Sequence, residues 1–394
     1  EKDLRIIHIA GTNGKGSVSA FLRSVFECAG SKTGMFTSPH LVDFRERIQV
    51  QGDMISKEDT MRLGNRLLSM DFGVCPTMFD YCLAMALLYF KEQKCDVVIL
   101  ETGLGGTYDS TNACGVPDVT VIAKIGFDHM AILGDTLAQI AAEKAGIIKH
   151  GTALVLESQE KEAMDVLNKA AERADIKTIK VVNLDEIRIL PQKDGKQCFS
   201  YAGYDAVTMK MLGVHQYENA VAAMLAAELF FEKYFAGKKN VPERKALQHA
   251  IREGIDRTQW MGRMELVSND PFFLMDGAHN SNGVEVLKKS LETMYPDEKF
   301  HFIMGVMADK DYGEMIRELL PLALDFKTVT VESERALQGE ALADCIREKG
   351  IPAEAYQNLA DVLPDFSKSS TEKTVAFGSL YFIGEIEAFL QGKQ

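Results

Sequence analysis

HIAGTNGKGSVSAFL, His8–Leu22, is the stretch that decides how the first half of the chain is read. An apolar run, Ile6–Ala10, feeds a turn containing Gly11, Gly14 and Gly16, and an amphipathic segment follows. Strand, glycine-rich turn and helix N-terminus converge backbone amides and a helix dipole on one phosphate-sized spot. Lys15 inside the turn can meet the outer phosphates of a nucleotide, and Ser17 is a candidate Mg²⁺ or phosphate ligand. The spelling departs from the general phosphate-loop rule of glycine, four free positions, then Gly-Lys-Ser/Thr. Ile9 occupies the first slot, and Gly16 stands between Lys15 and Ser17. Gly11, Thr12, Asn13, Gly14, Lys15, Gly16 and Ser17 are thus the candidate nucleotide-binding residues. By itself the loop does not separate a kinase from a GTPase or a ligase.

Outward from this loop, short apolar runs recur at Ile6–Ala10, Val97–Leu100, Val119–Ala123 and Ala153–Leu156. Hydrophobic throughout, they read as strands covered on both faces of a parallel sheet. Helical segments lie between them at Ser17–Ala29, Ser56–Met70, Thr77–Gln93 and Thr136–Ala145, two of which open on capping-box pairs, Ser56 with Asp59 and Thr77 with Asp80. From Thr178 to Met211 the pattern changes to short alternating runs (KVVNLDEIRIL, KQCFSYAG, AVTMKML), expected to form a small antiparallel flap. Helices are expected over Tyr217–Tyr234 and near Glu243–Glu253. A second strand–helix alternation begins at Phe272 with FFLMD, HFIMGV, TVTV and TVAFG. The fold class is α/β in two domains: a mostly parallel sheet with helices on both faces over 1–258, and a Rossmann-like α/β domain over 264–394. Asp256–Arg263 holds the boundary.

A length of 394 residues with 46% hydrophobic and 26% charged residues fits two globular domains with large cores. The net charge of -13 argues against nucleic acid as a partner, and it means that an anionic substrate needs locally concentrated cations. Seven dispersed cysteines read as reduced thiols of a cytoplasmic protein. No apolar run is long enough for a membrane span. The chain opens on Glu-Lys-Asp without an initiator Met, from which some N-terminal sequence is expected to be missing.

Three further motifs fall at strand ends, where ligands of open parallel sheets bind. TSPHL (Thr37–Leu41) places Ser38 after a second strand, DVVILETGLGG (Asp96–Gly106) ends a third in Glu101, and KIGFDHMAILG (Lys124–Gly134) sets Asp128 and His129 past a fourth. Hydroxyl, carboxylate and imidazole can together ligate divalent metals, with carboxylate and water favouring Mg²⁺. Taken singly they are equally a turn serine, a strand-end glutamate and a helix-capping histidine.

GTNGKGS, TSPHL..FRERI, ETGLGG..DSTN, DHMAILG, EKAGIIK, HQYEN, WMGRME, DGAHN, DKD and GSLY occur in the order seen in the folylpolyglutamate synthases and bifunctional dihydrofolate synthases of the Mur ligase superfamily, which the chain resembles over almost its whole length. The resemblance implies an ADP-forming carboxylate–amine ligase. ATP phosphorylates a folate carboxylate, and the amine of L-glutamate displaces phosphate from the acyl phosphate. It implies ATP as cofactor with two Mg²⁺ ions, one held by Ser38 and Glu101 and a second by Glu101 and His129. It implies a carbamate on Lys144 within EKAGI, adenine contact by Asn219 in HQYEN, a phosphate clamp by Arg263 and, in DGAHN of the second domain, a nucleotide contact by Asp276 and a place on the glutamate side for His279. Ser379 is a weaker candidate for the glutamate site, and Asp309 and Lys310 match the pattern without an assigned role. Small-molecule substrates (folate or dihydropteroate, L-glutamate and ATP) are the implied partners, with no membrane or nucleic acid and a monomeric state. Members of the family carry a few dozen residues ahead of the phosphate loop, so the chain reads as trimmed there. His40 in TSPHL is shared with many bifunctional members. The alternative is a Mur-type ligase acting on another carboxylate. A phosphate-loop switch protein that hydrolyses nucleotide without ligation is disfavoured by DGAHN.

Overall fold

A computed structural model describes residues 4–235 and 243–392. The chain divides into two compact units, Glu1–Lys210 with Gln216–Gln259, and Met211–His215 with Trp260–Gln394. The division is not a single cut near residue 258. Leu212 joins the core of the second unit beside Met264, and the Val214 amide donates to Ser290 Oγ at 3.1 Å.

Unit 1 contains, in chain order, β1 (Ile6–Ala10), β2 (Thr33–Phe36), β3 (Ile48–Val50), β4 (Asp53–Met54), β5 (Val97–Glu101), β6 (Val119–Ile122), β7 (Ala153–Leu156) and β8 (Ile179–Val181), lying side by side as β4-β3-β2-β5-β1-β6-β7-β8. Pairing is parallel from β2 to β8, while β3 and β4 add an antiparallel edge. β1 has β5 on one side and β6 on the other, so its carboxyl end faces the crevice where open sheets bind ligands.

Its helices are α1 (Lys15–Cys28), α2 (Lys57–Leu68), α3 (Met78–Glu92), α4 (Met130–Leu133), α5 (Leu137–Ala145), α6 (Lys161–Arg173), α7 (His215–Phe235) and α8 (Arg244–Arg257). Phe36, Val98 and Leu100 pack with Leu63, Leu83 and Phe90 of α2 and α3. Farther along the sheet, Ile122, Leu154 and Leu156 meet Ile140 and Leu167 of α5 and α6. Fully burying a side chain of this kind contributes roughly 1.5–3 kcal/mol. Thr77 and Asp80 form a complete capping box at α3, whereas at α2 Ser56 accepts the Asp59 amide.

The antiparallel flap is β9 (Arg188–Lys193), β10 (Lys196–Tyr201) and β11 (Tyr204–Met209). The KVV run expected within it belongs instead to the main sheet: β8 pairs in parallel with β7, Leu154 opposite Ile179. Three exposed residues at an edge carry no periodicity that tells a parallel edge strand from a hairpin.

Unit 2 has β12 (Glu265–Asn269), β13 (Phe272–Met275), β14 (Phe300–Met304), β15 (Ala323–Val329), β16 (Ala353–Tyr356) and β17 (Lys373–Phe377) in the order β12-β13-β17-β14-β15-β16, parallel except for β12. Its helices are α9 (Ser281–Met294), α10 (Tyr312–Leu319), α11 (Gly339–Arg347) and α12 (Leu380–Leu390). Alternating residues of β13 and β14 serve two cores. Leu274 and Phe302 enter one with Leu287 and Met315, and Met275 and Ile303 enter the other with Phe382 and Ile386. The edge strands β12 and β16 are partly exposed and lack a continuous apolar run, so their sequences do not announce them. Among the described residues no helix is long and apolar enough to cross a membrane.

Candidate active site at the strand ends

The phosphate loop is held from the β6 side. The amides of Thr12 and Asn13 both donate to the Lys124 carbonyl, at 2.8 and 3.1 Å, and Thr12 Oγ1 exchanges 3.0 Å hydrogen bonds with the carbonyl and amide of Gly126. Gly14 is the N-cap of α1 at φ 87°, so Lys15, Gly16 and Ser17 form the first turn, whose amides have no partner within the helix. Two constraints require glycine at position 14. Its φ is left-handed, and a Cβ there would lie 2.5 Å from Asn219 Oδ1. Asn219 Nδ2 donates to Gln216 Oε1 at 2.9 Å, and Gln216 Nε2 donates to Ser17 Oγ at 3.3 Å. Ser17 is 3% exposed, so its hydroxyl faces α7 from within the fold.

Glu101, Lys15 and Lys144 stand around the loop. Glu101, 4% exposed at the end of β5, has Oε1 4.0 Å from Lys15 Nζ, and its Oε2 accepts the Ser38 amide at 3.2 Å. The two strand-end motifs therefore meet. Lys144, 3% exposed in the last turn of α5, donates from Nζ to the Gly11 carbonyl at 2.9 Å. Burial, and after it the Lys15 ammonium, bring its pKa down to about 7, against the pull of Asp128 and Asp109.

ETGLGG explains how a lysine on another helix reaches the loop. Thr107 donates from its amide and hydroxyl to the Glu143 carbonyl at 2.8 and 3.0 Å, and Asn112 Nδ2 bridges the carbonyls of Thr107 and Gly146, each at 3.1 Å. A Cβ on Gly106 would lie 2.7 Å from the Glu143 carbonyl oxygen, so glycine permits the backbone approach that fixes the end of α5. Asp109 serves the same loop, accepting the Gly103 and Leu104 amides at 2.9 and 2.8 Å.

His129 stands apart. It is the N-cap of α4 at φ 51°, its side chain is 47% exposed, and Nε2 is 4.0 Å from Asp128 Oδ1. Among the described residues no three His, Cys, Asp or Glu side chains are gathered as a metal set, so Glu101, Asp128 and His129 are not a preformed cluster. The imidazole is half-exposed, which strand-end position does not reveal. In TSPHL, His40 Nδ1 accepts from Arg47 Nε at 2.8 Å.

In unit 2 the loop after β13 gathers several named residues. Asp276, 7% exposed, accepts the Met264 amide on Oδ2 and the Ala278 amide on Oδ1, both at 2.8 Å. Burial raises its pKa, opposed by Arg263, the two backbone bonds and His279. Asp276 does not cap α9, since Asn280 accepts the Gly283 amide at 2.8 Å and fills that role. His279 Nδ1 donates to the Gly277 carbonyl at 2.8 Å, directing Nε2 away from it. Gly277 donates to the Gly262 carbonyl at 2.8 Å, and a Cβ on Gly277 would lie 3.0 Å from Arg263 Nη1. WMGRME and DGAHN are thus one structure. Ser379 caps α12 by accepting the Phe382 amide at 3.0 Å, and Asp309 pairs with Arg335 Nη2 at 2.9 and 3.0 Å. Lys310 donates its amide to the Met307 carbonyl at 3.2 Å. The sequence alone assigns no supporting role to Lys124, Thr107 or Asn112, whose partners are main-chain groups of other segments. The repeated glycines of ETGLGG were the available signal.

The chain matches the Mur ligase middle domain over residues 9–227 and the Mur ligase glutamate ligase domain over residues 262–377. The dihydrofolate synthase/folylpolyglutamate synthase of Bacillus subtilis is 36% identical, over 99% of this chain and 91% of that protein. Mycobacterium tuberculosis folylpolyglutamate synthase complexed with ADP and AMPPCP superposes with a TM-score of 0.85 at 29% identity, covering 99% of this chain and 92% of that one. Escherichia coli FolC in complex with DHPP and ADP gives a TM-score of 0.84 at 26% identity, covering 99% and 89%. With both domains matched and a full-length relative at this identity, the chain belongs to the Mur ligase family, in its dihydrofolate synthase/folylpolyglutamate synthase branch.

Proposed function

We propose that the chain is an ATP-dependent ligase that joins L-glutamate to a folate carboxylate through an acyl phosphate, releasing ADP and phosphate. The observation that carries this reading is the gathering of Lys15, Glu101 and Lys144 around one glycine-rich loop at the strand ends. A carboxylate is a poor electrophile because its oxygen leaves badly, and phosphorylation supplies a leaving group. Doing so brings a triphosphate and a carboxylate together, and the site must neutralise both. Lys15 and the amides opening α1 supply positive potential within a chain whose net charge is -13.

Mg²⁺ fits the donors present. Mg²⁺ is commonly bound through one or two carboxylates together with substrate phosphates, and Glu101 with Ser38 offers a buried carboxylate and a hydroxyl residue beside the loop. The ion would supply charge neutralisation between the phosphates. His129 would join only by turning from its present exposed position. Lys144 fits the carbamate, since an amine with a pKa of about 7 is substantially neutral at physiological pH and nucleophilic toward CO₂. Such a modification exchanges a buried cation for an anion able to orient a metal or phosphate. Asn219, at the rim of Gly14, takes the adenine. Arg263, Asp276 and His279 take the phosphate and glutamate roles of unit 2.

Glutamate-dependent ADP release with mass gain on a reduced folate tests the reading, and ADP formation indifferent to both substrates would contradict it. Dihydropteroate as a second acceptor is favoured by the bifunctional Bacillus relative. A side-by-side assay of dihydropteroate and a folate monoglutamate decides it.

A further inference from the structure

The carboxyl end of β7 carries a group that the ligase chemistry leaves unused. Glu157 is 1% exposed, and among the described residues its Oε1 has no hydrogen-bond partner. The next residue, Ser158, donates its amide to Glu218 Oε1 on α7 at 2.6 Å, and its carbonyl accepts from Lys124 Nζ at 2.7 Å. Gln159 fastens the same strip to the segment after β6: its Oε1 accepts the Ile125 amide at 2.9 Å and its Nε2 donates to the Ala123 carbonyl at 3.1 Å. Lys124 then presents its own carbonyl to the Thr12 and Asn13 amides. Two acids and one lysine, all in unit 1, therefore stand behind the phosphate loop, and the Lys124 carbonyl joins them directly to it.

One ammonium cannot balance two desolvated carboxylates, and paired acids resolve such a conflict by keeping one proton. Burial, followed by the charge of Glu218, pushes the Glu157 carboxyl well above the usual carboxylate range, against the Lys124 backbone and ammonium. Glu218 is also raised by burial, with Lys124 and the Ser158 amide opposing. The charged groups facing the pair are thus Lys124 from the segment after β6, Glu157 from the end of β7 and Glu218 from α7.

We propose that Glu157, its buried Oε1 lying one residue before the Ser158 strip that Glu218 and Lys124 hold, keeps its proton, and that the three act as positioning residues for ATP by fixing the carbonyl that anchors the phosphate loop. Losing that proton leaves two negative charges flanking Ser158, loosens the strip and weakens nucleotide binding. The native pair keeps a proton that the unfolded chain releases in the ordinary glutamate range, so its contribution to stability falls as pH rises through the raised pKa. The nucleotide readout rests on the ligase reading above, whereas the unfolding readout does not.

The test measures thermal midpoints without nucleotide, and affinity for the ATP analogue AMPPCP, from about pH 6 to about pH 9. Wild type is compared with Glu157→Gln, Glu218→Gln and Lys124→Met. Glu157→Gln supplies a permanently neutral hydrogen-bonding group. It is expected to keep wild-type AMPPCP affinity at neutral pH and to flatten both alkaline declines, the wild-type affinity loss approaching about tenfold per pH unit. Lys124→Met is expected to weaken AMPPCP binding by about tenfold while turnover at saturating ATP changes far less, a split that general destabilisation would not give. The proposal is overturned if Glu157→Gln and Glu218→Gln both keep the wild-type pH profiles, or if Lys124→Met binds AMPPCP normally. Absence of AMPPCP binding by wild type at every pH would defeat the ligase reading instead. The unfolding profiles would then decide the proton pair, flattening in the glutamine variants supporting it and unchanged slopes ending it.

Discussion

Lys144 Nζ donates to the carbonyl of Gly11 at 2.9 Å, so the last turn of α5 is tied to the first residue of the phosphate loop. Carbamate formation needs the neutral amine, and this amine titrates near 7 rather than 10.5. With ¹³C-labelled bicarbonate, wild type is expected to show a carbamate carbonyl resonance that rises as pH passes about 7 and then levels, while Lys144→Ala shows none. The same variant should lose turnover by at least about a hundredfold. A Lys144→Ala enzyme close to wild type in turnover would remove the lysine from the mechanism.

The same lowered pKa makes a stability prediction. Between about 7 and 10.5 the unfolded chain binds a proton that native Lys144 has released, so this lysine's contribution to stability rises with pH across that window. Lys144→Met has no such dependence. Its thermal midpoint relative to wild type should be most favourable below about pH 7 and should fall as pH rises. A pH-independent difference would mean that the buried amine is not depressed.

Glu101 Oε1 lies 4.0 Å from Lys15 Nζ, and Glu101 Oε2 also fixes the Ser38 amide. Glu101→Gln preserves size and one hydrogen bond but removes the charge. Turnover should fall by about a hundredfold or more, with weakened Mg²⁺ dependence, and thermal stability should change little. Loss of folding in place of loss of activity would assign Glu101 to structure.

Gly14→Ala meets both a left-handed φ of 87° and the Asn219 oxygen. A destabilisation of about 1–3 kcal/mol is expected, with a raised KM for ATP. Pairing it with Asn219→Ser should recover the steric part and leave the backbone part. No recovery in the double variant would mean that φ alone accounts for the cost.

Asp276→Ala strands the Met264 and Ala278 amides. The expected cost is about 1–3 kcal/mol for each buried donor left unsatisfied, read as a lower denaturant midpoint. A stability within experimental error of wild type would show that water replaces the carboxylate there.

Some of this was legible in the residues and some was not. The strand ending in Ala10, the helix after the glycine-rich turn (expected from Ser17, found from Lys15) and the meeting of Ser38 with Glu101 follow from apolar runs that stop at polar motifs, because parallel strands must share an orientation. The burial of Lys144 was not legible: its spacing of four from Ile140 puts it on the apolar face of α5, but a lysine there normally carries its ammonium out to water, and only the pressing of ETGLGG on the end of α5 keeps it in. The exposure of the His129 side chain, on a residue with φ 51°, has no signature in its neighbours. Glu157 was silent for another reason, since an acid just past an apolar strand normally faces water.

The central claim is that the residues around Gly11–Ser17 activate a carboxylate for attack by glutamate. Its most direct test is the stoichiometry of ADP released to glutamyl product formed, with ATP, Mg²⁺, L-glutamate and a reduced folate. One ADP for each glutamate added, with both products lost in Lys15→Ala, is the expected result. ADP formed at the same rate without folate or glutamate would contradict the account.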